Sequence, residues 1–472
     1  MKRINRVLRL LLPVAVAAAL LSLGLPVRAG TAAGSGAVTK YTGTFKDGAT
    51  YLIEVPANWN GTLFLYSHGY VVPGTNNPAM DVGDPVTRGW MLGHGYALAG
   101  SSYATTGWAV QAALPDQIHT LNVFNKLVGK KPTTTVAWGH SLGGMITAGL
   151  IQQYPSRFSA ALPMCGVVSG GIATWNTALD AEFAFQQLVD PSVQVVHITN
   201  PGANLTNALQ AVQKAQKTAA GRARIALGAA FSDTPGWFTP LSAQPGPGDY
   251  AAQEANQYLW DSQVDFPFVF ALRAQLEAVA GGNPSWNTGV NYFKDLLKSA
   301  NLKEVLWLYH KAGLDLDTDL AKLAAAARIT ADPTAVTYLK KHITYNGNLS
   351  IPVLTMHTIG DGLVVPENES AYATAVANAG KSALLRQIFV DRAGHCAFTP
   401  AETITAVKAL LNRLSTGQWN DTGLTPARMN AKAAALGPKY NVFSGPSGPV
   451  ATPPGFLSYT PPPYLRPFNR KS

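Results

Sequence analysis

The sequence predicts an α/β protein whose sheet is mostly parallel and doubly wound. Short runs rich in apolar and β-branched residues recur along the chain, and helical stretches such as residues 111–127 separate several of them. Strands that alternate with helices are typical of a parallel sheet covered by helices on both faces. A run such as residues 62–66, which is apolar over most of its length, is typical of a strand buried on both sides.

The predicted strands are residues 50–55, 62–66, 96–99, 134–138, 159–164, 351–356 and 384–390. Pro56 and Asn58 separate the first of these strands from the second. In open sheets of this kind, reactive groups lie on the loops that leave the carboxyl ends of the strands. Functional residues are therefore expected on those loops.

Residues 173–348 interrupt the alternation, because helical stretches dominate there and strand-like runs are few. This composition predicts a mainly helical cap inserted between two strands of the sheet. The cap is rich in aromatic residues, which either line a pocket or fill the core of the cap, and core packing is expected for most of them. These residues are Trp175, Trp237, Phe238, Tyr258, Trp260, Phe266, Phe268, Phe270, Trp286 and Tyr292.

The first 29 residues are typical of an export signal. A basic start precedes an apolar run over residues 10–27, and Ala29 closes a small-residue cleavage site. A membrane anchor is the alternative, but Pro13 and Pro26 interrupt the run. A secreted protein is expected, with no stable membrane insertion after cleavage. Residues 30–172 and 349–418 then form the α/β core, and the Pro/Gly-rich residues 419–472 form a C-terminal extension packed on the surface.

Charge gives no support for a nucleic-acid partner. Half of the formal net charge of +10 belongs to the export signal, and charged residues make up only 13% of the chain. No run of Lys and Arg follows the signal, so a surface that tracks phosphates is not expected. The two cysteines exclude a disulfide-dense scaffold and a Cys-rich zinc site but permit one bridge.

The sequence also predicts no cofactor and no metal. Neither a dinucleotide-binding glycine fingerprint nor a P-loop occurs in it. Asp315, Asp317 and Asp319 alternate as in a calcium loop, but Leu320 and Ala326 stand where that loop needs Gly and Glu.

The pattern G-x-S-x-G occurs at residues 139–143, with Ser141 at its centre. It follows one predicted strand and precedes a predicted helix over residues 145–153, which is the context that gives this pattern its meaning. A serine on such a sharp, strained turn tolerates little bulk beside it, and Gly139 and Gly143 supply none. Ser141 is therefore the candidate nucleophile.

Ser141 needs a base, and the usual base in this geometry is an imidazole. Among the nine histidines, only His395 follows the last predicted strand, in a Gly-containing loop before a helix that begins near Pro400. His140 is expected to be structural although it adjoins Ser141. The remaining histidines are expected to be polar core or surface residues, and they are His68, His94, His119, His197, His310, His342 and His357.

The acid that orients the histidine is expected on the loop after the strand at residues 351–356. Asp361 lies there between two glycines. Such an aspartate is often only a turn residue, but the order Ser, Asp, His along the chain favours a catalytic role. Asp391 is the reserve candidate, because it is too near His395 in sequence for its side chain to reach the imidazole ring easily.

Acyl transfer also needs N–H groups directed at the oxyanion. The N–H of Leu142, directly after the serine, is expected to supply one. The N–H of Tyr70, in the loop after the strand at residues 62–66, is expected to supply the other, and Gly69 allows the backbone to approach closely. The side chain of Tyr70 is a further candidate for substrate contact.

Four segments together resemble the α/β-hydrolase superfamily: residues 68–70, 139–144, 360–366 and 394–395. They occur in the order of that superfamily, and the resemblance spans residues 40 to 415 apart from the insertion. It implies an α/β-hydrolase fold with a helical cap between the nucleophile and acid strands. It also implies a serine hydrolase: a carboxylesterase, a lipase, a feruloyl-type esterase or a proline-releasing aminopeptidase.

The cysteine after the candidate base extends this resemblance. In the tannase and feruloyl esterase group, a cysteine at that position bridges to one directly before the nucleophile. Here Cys396 follows His395, but position 140 is His. The remaining partner is Cys165, and because both cysteines fall at the carboxyl edge of the sheet, a Cys165–Cys396 disulfide is predicted.

The favoured function is a secreted serine hydrolase acting on carboxylic esters, with a small molecule or a polymer as substrate. The alternative is a proline-releasing aminopeptidase, which carboxylates facing Ser141, such as Glu182, Asp261 or Glu277, would favour. A non-catalytic binding protein on the same scaffold is a third hypothesis. The sequence makes no prediction of the oligomeric state.

Overall fold

The computed structural model describes residues 37–445 and 448–468 of the chain. The predicted export signal at residues 1–29 lies outside the described residues. Within those ranges, the longest helices are too short or too polar to cross a bilayer.

The described strands are β1 (Val38–Thr44), β2 (Thr50–Pro56), β3 (Thr62–Ser67), β4 (Ala97–Ser101), β5 (Thr134–His140), β6 (Ala160–Met164), β7 (Val353–Gly360), β8 (Leu385–Ala393), β9 (Val442–Gly445), β10 (Gly448–Ala451) and β11 (Phe456–Leu457). The main sheet has the order β1-β2-β4-β3-β5-β6-β7-β8-β11. From β4 to β8 neighbouring strands are parallel, whereas β1, β2 and β11 pair antiparallel at the edges. The predicted mostly parallel sheet is confirmed.

The described α-helices are α1 (Pro85–Gly93), α2 (Val110–Val128), α3 (Leu142–Gln153), α4 (Gly171–Leu188), α5 (Pro201–Ala215), α6 (Ala219–Ser232), α7 (Tyr250–Trp260), α8 (Arg273–Ala280), α9 (Tyr292–Leu296), α10 (Leu302–Ala312), α11 (Leu316–Ala325), α12 (Pro333–His342), α13 (Glu367–Asn378), α14 (Pro400–Thr416) and α15 (Pro426–Ala434). Two π-helical turns, Asp261–Asp265 and Phe268–Leu272, separate α7 from α8.

Helices cover both faces of the sheet, as the apolar strands predict. Leu63 and Leu65 of β3 share an apolar cluster with residues of α2 and α3, while Phe64 and Tyr66 share one with residues of α1 and α14. The alternation follows from the two-residue repeat of a strand, which points successive side chains to opposite faces. The buried sheet holds the carboxyl ends of its strands in fixed positions.

The helices α4 to α12 lie between β6 and β7, with apolar clusters of their own. A turn interrupts this helical region at residues 216–218. The chain forms α5 and α6 there, because the side chain of Thr218 accepts the N–H of Gly221 and starts a new helix. Asp315, Asp317 and Asp319 lie at the start of α11, where Asp315 caps the helix and Asp319 pairs with Arg224.

The C-terminal extension does more than lie on the surface. Its short strand β11 pairs with β8 and forms one edge of the main sheet. Farther on, Arg466 donates to the buried carboxylate of Asp180 in α4, at 2.7 Å. A buried carboxylate requires a charged partner, and Arg466 supplies it. The extension therefore links the sheet to the inserted helices.

Candidate active site

Ser141 stands on a sharp turn between β5 and α3. Its φ of 58° and ψ of −126° are an unfavourable combination for a residue with a side chain, so the surrounding structure must hold it. Its N–H donates to the carbonyl of Met164 in the neighbouring strand at 3.0 Å. The turn requires glycine at position 143, where an added Cβ would lie 1.9 Å from the carbonyl oxygen of Ser67. The turn thus presents the hydroxyl of Ser141 above the carboxyl edge of the sheet.

The structure brings Ser141, His395 and Asp361 into one hydrogen-bonded chain. The Nε2 atom of His395 lies 2.8 Å from the Oγ atom of Ser141, and its Nδ1 atom lies 2.7 Å from Oδ2 of Asp361. The other carboxylate oxygen of Asp361 accepts the N–H of Val364 at 3.0 Å. The residues come from the loops after β5, β7 and β8, so the parallel sheet brings them to the same edge.

Asp361 is fully buried yet remains ionised. Burial alone would raise its pKa, but the charges and hydrogen bonds of His395 and His357 outweigh burial and lower the pKa below its ordinary value. An ionised carboxylate at this position keeps a proton on Nδ1 of His395, which leaves Nε2 free to accept a proton from Ser141.

The loop that carries His395 is fixed by covalent and non-covalent contacts. Cys396 forms a disulfide with Cys165, closing a segment of 231 residues. The hydroxyl of Thr358 donates to the carbonyl of Gly394 at 2.8 Å. These contacts limit the movement of the imidazole relative to Ser141.

The other candidates for base and acid lie elsewhere. His140 points away from the chain of hydrogen bonds and pairs with the hydroxyl of Tyr66 at 3.0 Å. Burial, with the nearby charge of His395, lowers the pKa of His140 to about 4, so it is neutral. The side chain of Asp391 is exposed on the sheet edge where β11 pairs.

The segment predicted to hold an oxyanion lies against Ser141. A Cβ added to Gly69 would stand 3.3 Å from the Cβ of Ser141, so the backbone of this loop approaches the serine closely. The hydroxyl of Tyr103 donates to the carbonyl of His68 and supports the loop from behind. The N–H of Leu142 is in the first turn of α3, where helical N–H groups have no partner within the helix.

Two cavities meet at Ser141, and Tyr70, Phe268 and Leu363 line both. The first, of about 160 Å³, extends under the inserted helices. Its aromatic lining comprises Tyr70, Trp108, Trp175, Phe185, Phe266, Phe268 and Tyr464. The second, of about 140 Å³, lies on the side of His395 and the loop at residues 68–72. A molecule with two parts could therefore place its scissile bond at Ser141 and one part in each cavity.

Three carboxyl groups line the first cavity, together with Arg224, which pairs with Asp319. They are Glu182, Asp261 and Asp265. Burial, with the charge of Glu254, raises the pKa of Asp261 to about 8, and burial with the charges of Asp261 and Asp361 raises that of Asp265 well above its ordinary value. Neighbouring positive charges therefore offset only poorly the negative charge that these two carboxyl groups carry when ionised.

Glu182 and Glu277 differ in their surroundings. Both oxygens of Glu182 lack a hydrogen-bond partner among the described residues, and its nearest charge is Arg273 at 3.8 Å. Glu277 instead accepts from the N–H of His197 and from Arg273, and it does not face the cavity. Sequence reasoning named Glu182 and Asp261 but missed Asp265 and Tyr464, which local patterns do not distinguish from ordinary core and loop residues.

One group of metal-ligand type occurs among the described residues, away from Ser141. It consists of Asp47, Asp116 and His119. One oxygen of each carboxylate already accepts a backbone N–H, from Ala49 and Ala104 respectively. These residues hold the turn after β1 against α2.

No family model matches the chain. It is 27% identical over 430 residues to the o-phthalyl amidase of Xanthobacter agilis, covering 84% of this chain and 92% of that one. Among solved structures, feruloyl esterase B from Aspergillus oryzae has a TM-score of 0.39 and 14% identity, with 81% of each chain covered. The rice cell wall degrading esterase LipA from Xanthomonas oryzae has a TM-score of 0.35 and 13% identity, covering 75% of this chain and 82% of that one.

The order of the sheet identifies the fold. Its order, β1-β2-β4-β3-β5-β6-β7-β8, with a serine turn after β5 and a long helical insertion after β6, is the α/β-hydrolase arrangement. The amidase relative, similar over most of both chains, is also a hydrolase. This protein has an α/β-hydrolase fold, and it is a hydrolase.

Proposed function

We propose that this protein is a serine hydrolase that cleaves carboxylic esters and amides through an acyl-enzyme intermediate on Ser141. The observation that carries the proposal is the unbroken chain of contacts from Ser141 through His395 to Asp361, at 2.8 and 2.7 Å. A hydroxyl held against an imidazole, which is itself held by a carboxylate, is an activated nucleophile.

The reaction proceeds in two steps. His395 accepts the proton of Ser141 as Oγ attacks the carbonyl carbon, and the N–H groups of Leu142 and Tyr70 stabilise the oxyanion. His395 then protonates the leaving alcohol or amine, and the acyl group stays on Ser141. Water, deprotonated by His395, attacks the acyl-enzyme and releases the acid.

The cavities support an aromatic acyl group. The cavity under the inserted helices contains Leu142, one of the two oxyanion donors, and several aromatic side chains. Flat aromatic groups pack well against such walls, in edge-to-face or offset arrangements. The amidase relative, named for its action on o-phthalyl amides, adds support for amides beside esters.

A matched pair of substrates tests the proposal: a p-nitrophenyl ester and a p-nitroanilide of the same aromatic acid. The enzyme should cleave both, and Ser141→Ala should lose roughly 10⁶-fold in kcat. Labelling of Ser141 by a fluorophosphonate probe should disappear in the same variant. Ser156→Ala, on a surface turn after α3, is the control and should react like the unmodified enzyme. Turnover or labelling that survives Ser141→Ala would refute the proposal, and absence of both in the unmodified enzyme would favour a binding protein.

A second candidate function is cleavage of substrates with a free amino group, as in a proline-releasing aminopeptidase. The observation that favours it is the set of poorly compensated carboxyl groups in the first cavity, Asp261 and Asp265 above all. An ammonium group would supply the missing positive charge. Proline p-nitroanilide and its N-acetyl derivative distinguish the cases. Preference for the free amine, lost in Asp265→Asn, would support the peptidase, whereas equal rates or preference for the acetylated compound would exclude it.

We also propose that the protein is exported. The signal-like residues 1–29 and the Cys165–Cys396 disulfide support export, because disulfides persist in oxidising compartments. N-terminal sequencing of protein from the culture medium should begin after Ala29. Accumulation of full-length protein inside the cell would contradict the proposal.

A further inference from the structure

A second buried histidine, His357, lies directly behind Asp361. It belongs to β7, and its side chain has no exposed surface. Its Nε2 atom lies 2.7 Å from the carbonyl oxygen of Val364, and its Nδ1 atom lies 3.1 Å from Oε1 of Glu369. A carbonyl oxygen can only accept a hydrogen bond, so Nε2 carries a hydrogen.

The carboxyl group of Glu369 is surrounded by donors. Its Oε2 atom accepts from the hydroxyl of Thr355 at 2.5 Å and from the side-chain amide of Gln387 at 2.6 Å. Glu369 also lies in the first turn of α13, where the helix favours a negative charge. An ionised Glu369 needs a donor at its Oε1 atom, and Nδ1 of His357 is the donor available. With hydrogens on both nitrogens, the ring of His357 is an imidazolium.

This positive ring faces Asp361. Its Nε2 atom lies 3.6 Å from Oδ2 of Asp361, the oxygen that contacts His395. Val364 completes the arrangement, because its N–H donates to Oδ1 of Asp361 while its carbonyl accepts from His357. His357 therefore contacts both ends of the segment Asp361–Val364.

We infer that His357 is a positioning residue for the reaction: as a buried imidazolium between Glu369 and Asp361, it fixes the Asp361–Val364 segment and offsets the charge of Asp361. The inference rests on the proposed function, in which Asp361 orients His395. His357 does not touch the substrate or the reacting atoms, and it acts through Asp361.

The charges around the ring agree with this role. Burial alone would lower the pKa of His357, but Asp361 and Glu369 outweigh burial and raise it to about 10. Burial raises the pKa of Glu367 of α13, and the charge of His357 offsets part of this rise. Burial, with the charges of Asp261 and Asp361, raises the pKa of Asp265 in the π-helical turn. Without the charge of His357, Asp361 and Glu369 would stand as two uncompensated negative charges in a region closed to water.

The first experiment reads the charge of the ring without any activity. In ¹⁵N-histidine-labelled Ser141→Ala protein, NMR correlations between ring nitrogens and carbon-bound hydrogens distinguish neutral from doubly protonated rings. The signal of His357 is assigned by its displacement in a second variant, Glu369→Gln. We expect a doubly protonated ring from pH 6 to pH 9. A neutral ring at pH 7 would overturn the inference.

The second experiment measures kinetics. His357→Gln keeps a donor for Val364 but removes the charge, so kcat should fall on the order of 10²-fold, as expected for a displaced catalytic group, with little change in KM. The acid limb of the kcat/KM profile should move to higher pH, since a positive neighbour of protonated His395 is gone. His94→Gln, at the turn after α1, is the matched control and should change neither. An unchanged limb and kcat in folded His357→Gln would overturn the inference.

The two proposals fail differently. If turnover does not depend on Ser141, the proposed function fails while the charge of His357 is still measured by NMR. If the enzyme depends on Ser141 but His357 is neutral or replaceable, only the inference fails. Should His357→Gln not fold, the NMR measurement on the Ser141→Ala protein decides alone.

Discussion

The carboxyl edge of the sheet and the cavity wall formed by residues 261–272 differ in how their charges are compensated. At the edge, Asp361 has a partner for each oxygen, and behind it Glu369 and His357 are paired. In the wall, Asp261 and Asp265 lie on one π-helical turn without an ion pair among the described residues, and burial raises the pKa of both.

Under the proposed functions, this difference separates two tasks. Bond cleavage needs groups held in one geometry, and the satisfied network at the sheet edge provides that rigidity. Recognition needs groups that a ligand can complete, and uncompensated carboxyls in a cavity are such groups. The π-helical geometry of the wall fits this reading, since π-turns inside helices are frequent at functional sites.

The largest expected effect is at the sheet edge, in Asp361→Asn. The amide cannot hold His395 in the correct tautomer, so kcat/KM for the aromatic ester should fall by about 10⁴-fold. The fold should persist, because asparagine has nearly the same shape. Stopped-flow or steady-state ester hydrolysis at pH 7 measures this effect.

Asp391→Asn is the matched control, since Asp391 is the alternative acid in the sequence and its side chain is exposed. It should leave kcat/KM unchanged. If Asp391→Asn lowers kcat/KM as much as Asp361→Asn does, the assignment of Asp361 as the acid is wrong.

The Cys165–Cys396 disulfide is expected to have the next largest effect, on stability. It closes a loop of 231 residues, and the chain-entropy relation gives a contribution of about 5 kcal/mol to the free energy of unfolding as an upper estimate. The variant with both Cys165→Ala and Cys396→Ala should unfold at clearly lower denaturant concentration. Because Cys396 adjoins His395, the rate of ester hydrolysis by the double variant should also fall.

Reduction of the unmodified protein with a phosphine is the control for this prediction. It should lower the denaturation midpoint of the unmodified protein to that of the double variant and leave the double variant unaffected. If reduction changes nothing, the disulfide does not stabilise the fold.

The same contrast explains what the sequence could predict. Ser141, Asp361 and His395 each follow a strand within a short motif, so strand prediction and chain order were sufficient to name them. His357 lies inside a strand without any motif, and its partner Glu369 comes from the next helix. Its role follows only from the packing of β7 against α13.

Long-range contacts were the other gap. Arg466 meets Asp180 across 286 residues of sequence, and β11 joins the sheet through only two residues. A Pro/Gly-rich composition carries no signal for where an isolated arginine or a short strand will pack.

The last expected effect concerns the cavity wall and depends on pH. The pKa of Asp261 is about 8 in the folded protein, because of burial and the charge of Glu254, against about 4 in an unfolded chain. The folded state therefore holds a proton that the unfolded state loses, and stability falls as pH rises from about 4 to about 8. Asp261→Asn removes this loss of stability. The melting temperature of the variant minus that of the unmodified protein should therefore increase from about pH 4 to about pH 8 and then level off.

Asp421→Asn provides a control of opposite sign. Its hydrogen bond to Arg386 lowers the pKa of Asp421, so this aspartate stabilises the fold above its unfolded pKa and the contribution is lost as pH falls. Asp421 is exposed, so Asp421→Asn should lower the melting temperature only slightly above about pH 4. If Asp261→Asn instead gives no gain in melting temperature at pH 8, water reaches Asp261 freely. The wall and the sheet edge then do not differ in how their charges are compensated.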